Sequence, residues 1–143
     1  MTTAASCIFC RIVKGEIPSF AVYEDAHVLA FLDISPLAKG HTLVIPKRHA
    51  AKIEEMTSEE AAALFKAVHK IARPICESVD ARDSTIAFNN GPAAGQEVAH
   101  VHCHIVPRWQ GDTFGPIHRM FEKPTVSKDE LSQLHQRIKA RLR

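Results

Sequence analysis

The sequence has no long hydrophobic run: nothing in it approaches the ~20 consecutive apolar residues of a membrane-spanning helix, so no membrane partner is expected. Its opening "MTTAAS" has neither the basic n-region nor the apolar h-region of an export signal. The expectation is a soluble, cytoplasmic protein whose thiols stay reduced. Cysteine is sparse, and Cys7, Cys10, Cys76 and Cys103 are read as thiols or metal ligands rather than as a disulfide framework. An excess of one charge sign is also missing. Eighteen Lys and Arg face sixteen Asp and Glu, for a net charge of +2. That bias suits a small anionic ligand and is too weak to argue for nucleic acid. Internal repeats, low-complexity segments and interdomain linkers are absent as well.

What is there is an ordinary globular composition, 45% hydrophobic and 24% charged over 143 residues. It fits one domain, and a chain of this size buries roughly 68–70% of its unfolded surface without needing disulfides. "CIFCRIVKGEIP" reads as a short helical turn stopped by Gly15 and Pro18. "FAVYEDAHVLAFLDI" reads as two strands joined at Glu24-Asp25, with Asp33 closing the second. "HTLVIP", "STIAF" and "VAHVHCHIVP" supply three more strands. The clearest helix is "TSEEAAALFKAVHKIARPICESV". Thr57 with Glu60 makes a capping box, Leu64, Val68 and Ile71 make an apolar stripe, and Pro74 is expected to kink or end its first part. "PTVSKDELSQLHQRIKARLR" ends in a second helix capped by Ser127 with Glu130. The pattern is α+β, with about five strands in a mostly antiparallel sheet, one main helix and a C-terminal helix.

"HVHCHIVPR" sets histidines at alternate positions, which share one face of a strand. His100, His102 and His104 then point one way, and Val101, Cys103 and Ile105 point into the core. One metal held by all three is disfavoured by geometry. Positions i and i+4 lie about 13 Å apart in a strand, and a metal–nitrogen bond is only about 2 Å. The three histidines should therefore divide their roles. Nucleophilic catalysis is the alternative. A largely neutral imidazole can attack phosphorus and leave again, while a second one hydrogen-bonds phosphate oxygens or delivers a proton. Backbone amides near Gly95 and Gln96 can hold the charge that builds on phosphoryl oxygens.

"HVHCHIV", together with "FLDISPLAKGHTLVIPKRH" and "NNGPAAGQEV", resembles the histidine-triad (HIT) nucleotidyl hydrolases and transferases from about Cys7 to Arg108. The resemblance implies a single HIT domain over 1–143, with its core at about 7–108 and a C-terminal extension over 109–143. It implies that His102 is the nucleophile, that His104 contacts phosphate, and that the carbonyl of His100 orients the central ring. Asp33 resembles the carboxylate that accepts from ribose hydroxyls. Ile8, Phe9, Ile12, Phe31, Leu32 and Ile34 resemble the walls around a purine. Asn89 and Gln96 resemble the polar groups on ribose and phosphate, with Gly95 and Val98 offering backbone contacts. Glu97 departs from the nucleoside-phosphoramidase (Hint-like) branch, where a small hydroxyl residue is usual. "GPAAGQ" and "VPR" look more like the dinucleoside polyphosphate hydrolase (Fhit-like) branch.

Cys7-x-x-Cys10 has zinc-ligand spacing. Resemblance to zinc-containing members of the family implies Cys7, Cys10, His49 and His100 as the ligand set. Four protein ligands close a tetrahedral zinc and leave no position for water, so this Zn2+ is expected to be structural. The implied function is cleavage of a purine nucleoside monophosphate from an amine, acyl or phosphate leaving group through a nucleotidyl-His102 intermediate. Fhit-like hydrolysis of dinucleoside polyphosphates is the alternative within the enzymes, and a non-catalytic, zinc-stabilised nucleotide-binding module is the alternative outside them. The resemblance also implies a homodimer that continues the sheet across its interface.

Overall fold

The computed structural model describes residues 4–142. Chain contacts divide it into two compact units, Met1–Asp112 and Thr113–Arg143. The first contains all the strands found among the described residues. They are β1 (Ala21–Glu24), β2 (Val28–Leu32), β3 (Thr42–Pro46), β4 (Asp83–Ala87) and β5 (Cys103–Arg108). They form one five-stranded sheet in the order β1-β2-β3-β5-β4, and every neighbouring pair is antiparallel. The expected α+β class with an antiparallel sheet is what the chain adopts.

Two helices sit with the sheet: α1 (Ile8–Val13) and α2 (Ser58–Glu77). Strand alternation sorts the core residues between them. Val28, Ala30, Val44, Val101, Cys103 and Ile105 pack with Leu64, Ala67, Val68, Ile71 and Ile75 of α2. Leu29, Phe31, Leu43 and Ile45 pack with Cys7, Phe9 and Cys10 of the α1 segment. Val101, Cys103 and Ile105 are buried as their phase predicts.

The Thr57–Glu60 capping box opens α2 as expected. The helix does not end at Pro74; it continues to Glu77. A proline costs the backbone hydrogen bond its own N–H would have made, and burial of Ile71, Ile75 and Cys76 on either side holds the last turn in place. The last strand is also shorter than expected. It starts at Cys103, because the segment before it bends: His100 N–H bonds Val98 O and Val101 N–H bonds Ala50 O instead of entering the ladder.

The second unit carries α3 (Lys128–Arg141), capped by Ser127 with Glu130 and basic in its last turn. Leu131, Leu134, Ile138 and Leu142 are exposed on it. Among the described residues, no helix is long and apolar enough to cross a membrane.

Candidate active site and metal centre

The α1 face of the sheet carries a cleft of about 550 Å³. Ile8, Phe9, Asp33, Asn89, Gly95, Glu97, Val98, His102 and His104 all line it, drawn from α1, the end of β2, the loop after β4 and β5. These residues lie up to 96 positions apart in the chain, between Ile8 and His104.

Not every expected residue reaches the cleft. Leu32 belongs to the phase of Val28 and Ala30, so it faces the α2 side. It lines a separate apolar groove with Val22, Ile71, Pro74, Ile75 and Val79. Ile34 is 83% exposed beyond the strand end. Phe31 and Ile12 lie behind the wall: Phe31 packs edge-on to Phe9 at 5.6 Å, and Ile12 packs against the same cluster. Gln96 shapes the loop from within. Its Oε1 accepts from Gly91 N–H at 2.7 Å, and its Nε2–H donates to Ala51 O at 2.7 Å. Gly91 must be glycine there, since its φ is +101° and a Cβ would meet Lys52 at 3.2 Å.

His102 is buried, and its Nδ1–H donates to His100 O at 2.7 Å. A carbonyl oxygen can only accept, so Nδ1 carries a proton, and the neutral tautomer this bond selects has its lone pair on Nε2. The edge of Phe9 lies against this ring, with centroids 5.2 Å apart. His104 packs beside it at 4.9 Å between centroids. Burial, then the neighbouring imidazoles of His102 and His41, pushes His104 down to about 4. It is therefore neutral at physiological pH.

The sequence reading missed His41. It is 2% exposed, lines the cleft, and has its Nε2 2.9 Å from His104 Nδ1. The signal was a polar residue opening the apolar strand "HTLVIP". Reading it also required knowing that β3 lies beside β5, with Leu43 opposite His104.

Behind the triad, Cys7, Cys10, His49 and His100 bring their ligand atoms within 4.8 Å of one another. His100 Nε2–H donates to Pro46 O at 2.8 Å, which leaves the Nδ1 lone pair facing the sulfurs. That Nδ1 lies 3.4 Å from Cys7 Sγ and 3.5 Å from Cys10 Sγ, and His49 Nδ1 lies 3.3 Å from Cys10 Sγ. Tetrahedral zinc with its usual Zn–S and Zn–N bonds sets sulfur and nitrogen about 3.5 Å apart, so this donor set fits the ion. Burial pushes His100 down to about 4, which keeps it neutral as a ligand must be. Burial, with Cys7 beside it, pushes the Cys10 thiol up to about 11. A cation is what would hold two buried thiolates side by side.

An antiparallel sheet with alternating histidines at a cleft is the arrangement of the histidine-triad proteins. The chain belongs to that family: the HIT domain model matches residues 14–111. It is 53% identical over 118 residues to the "Protein hit" of Bacillus subtilis, covering 82% of this chain and 81% of that one. It is 39% identical over 138 residues to an adenosine 5′-monophosphoramidase of Schizosaccharomyces pombe, covering 96% and 99% of the two chains. A zinc-bound histidine triad family protein from Mycobacterium smegmatis superposes with a TM-score of 0.74 at 37% identity, covering 94% of this chain and 99% of that one.

Proposed function

We propose that the protein is a nucleotidyl hydrolase or transferase that releases a purine nucleoside monophosphate from an amine, acyl or phosphate group through a covalent bond to His102. The observation that carries this reading is the 2.7 Å bond from His102 Nδ1–H to His100 O, which selects the neutral tautomer with its lone pair on Nε2, on a residue lining the cleft. Nε2 gives its lone pair to the α-phosphorus. The bond from phosphorus to the leaving atom breaks, and the leaving group departs with that electron pair and a proton drawn from water. Water then attacks the same phosphorus, breaks the P–Nε2 bond and frees the monophosphate and the neutral imidazole. The name of the fission-yeast relative supports an amine leaving group.

In this reading Asp33 accepts from ribose hydroxyls and Ile8, Phe9, Leu43 and Val98 wall the purine; what supports it is that all of them line the cleft. Asn89 and the backbone around Gly95 meet the ribose and phosphate end, with Gln96 holding that loop in shape. Cys7, Cys10, His49 and His100 would hold Zn2+, which supplies a structural clamp between the N-terminal segment and the catalytic strand, with no open position for substrate. A two-fold homodimer in the cytoplasm completes the proposal. The outer edge of β4 is unpaired among the described residues, and Ile86 on it is 44% exposed, which gives the dimer a surface to use.

The test is mass spectrometry of the protein after brief incubation with adenosine 5′-phosphoramidate and, separately, with diadenosine tetraphosphate. A nucleotidyl adduct on His102 is expected, and the substrate that loads it faster identifies the leaving group. His102→Ala should abolish turnover and keep nucleotide binding; near-normal turnover in that variant overturns the mechanism.

A further inference from the structure

The cleft holds a fourth histidine whose bonding dictates where the protons sit. Leu37 N–H donates to His41 Nδ1 at 3.1 Å. A backbone amide can only donate, so His41 Nδ1 carries a lone pair and the ring carries its proton on Nε2. That Nε2–H points at His104 Nδ1, 2.9 Å away. His104 must then accept on Nδ1 and carry its own proton on Nε2. His104 Nε2 is buried and has no hydrogen-bond partner among the described residues, on a ring that lines the cleft. The competing arrangement would put the His41 proton on Nδ1, toward Asp33 Oδ2. That oxygen is 3.6 Å away, beyond hydrogen-bond range, and Asp33 Oδ1 already accepts from Ser35 N–H at 2.8 Å.

We propose that His41 is a positioning residue that fixes His104 as a neutral imidazole with its N–H aimed into the cleft, so that His104 donates a hydrogen bond to a phosphoryl oxygen and keeps its proton. The chain of bonds explains the second half. It begins at an amide N–H, which does not release its proton. If the neutral His104 ring gave up Nε2–H to a leaving group, it would be left an imidazolate unless the His41 proton followed onto Nδ1, and His41 would then be the anion, because the Leu37 amide keeps its proton. The relay therefore sets direction and tautomer but transfers no proton. Burial lowers both rings below the ordinary histidine value, which keeps them neutral donors. The effect on turnover rests on the nucleotidyl-transfer reading; the tautomer does not.

Two measurements test this. Nitrogen NMR of the imidazoles should find His104 protonated on Nε2 in the unmodified protein; a proton on Nδ1 overturns the proposal. In His41→Met, which removes the donor at similar volume, His104 should populate both tautomers. Turnover (kcat) should then fall about fivefold, because only the fraction of rings that keep Nε2–H still donates to the developing oxyanion, with KM within about twofold. The fall should be equal for adenosine 5′-phosphoramidate and for the p-nitrophenyl ester of AMP, whose leaving group needs no proton. A fall confined to the phosphoramidate would make His104 a general acid and overturn the proposal. His41→Gln, whose amide N–H replaces Nε2–H, should restore kcat to within about 1.5-fold of the parent. If His41→Met does not fold, the wild-type tautomer and the Gln variant still decide. Absence of turnover with any nucleotide would remove the proposed function and leave the tautomer test standing.

Discussion

His100 and His102 are joined main chain to ring: the carbonyl of His100 takes the Nδ1–H of His102 at 2.7 Å. The ring of the same His100 faces Cys7 and Cys10 at 3.4 and 3.5 Å. One residue thus belongs to both the support of the His102 ring and the Cys2His2 cluster. The segment carrying it precedes the strand ladder, so it has fewer backbone restraints than β5.

Zinc removal should therefore be felt at both ends of His100. Stripping the protein with a chelator is expected to lower Tm by about 10 °C or more, in line with the large folding contribution of structural zinc. It should also lower kcat more than it raises KM, because the ring of His102 loses its fixed orientation. Calorimetry with metal analysis checks this. A protein that has lost its zinc but melts unchanged has no structural zinc site.

Much of this was legible in the sequence, for physical reasons. Period-2 alternation put Val101, Cys103 and Ile105 into the core, and capping chemistry marked the starts of α2 and α3. What escaped depended on long-range pairing. The order β1-β2-β3-β5-β4 sets β3 beside β5, and only that neighbourhood brings His41 to His104. The resemblance sets Leu32 in the purine wall beside Phe31, yet adjacent strand residues face opposite sides, and Leu32 lines the α2 groove. The helix read over "TSEEAAALFKAVHKIARPICESV" already includes Pro74, and α2 runs through it to Glu77.

Asp33 lines the cleft, and its Oδ2 lies 3.6 Å from His41 Nδ1. If it accepts from ribose hydroxyls, Asp33→Ala should raise KM about tenfold, the cost of one or two charge-assisted hydrogen bonds. A 2′-deoxy substrate should bind worse than the ribo form to the parent, and equally well to the variant. Steady-state kinetics on the four combinations reads the coupling directly. Additive losses would assign the ribose contact elsewhere.

The start of α2 gives a pH prediction. Glu60 accepts from Arg48 Nη2–H at 2.7 Å and from Thr57 N–H at 2.8 Å. Arg48 first, then the cap, holds its carboxyl down at about 2 from an ordinary 4.5. A group with a depressed folded pKa contributes stability above its unfolded value, and that contribution is lost as pH falls from about 4.5 through 2. Glu60→Gln should therefore lower Tm by roughly 3 °C at pH 7, the scale of a partly exposed ion pair. The gap between parent and variant should narrow below about pH 4.5 and close near pH 2. Thermal melts across that range check the sign, and a gap that widens in acid would contradict it.

Glu97 is exposed at the rim of the cleft, on the loop that precedes the triad. A carboxylate there repels phosphate, so it is suited to the leaving-group side and to a leaving group that carries positive charge. Through water, a charge pair a few ångströms apart is worth about 1 kcal/mol, a factor of about five. Glu97→Gln should thus lower kcat/KM about fivefold for an adenosine phosphoramidate whose amine bears a second, cationic group. It should leave a neutral alkyl phosphoramidate within about twofold, and the difference should shrink as salt is raised. Competition between the two substrates in one reaction measures the ratio directly. Equal effects on both would place Glu97 outside leaving-group selection.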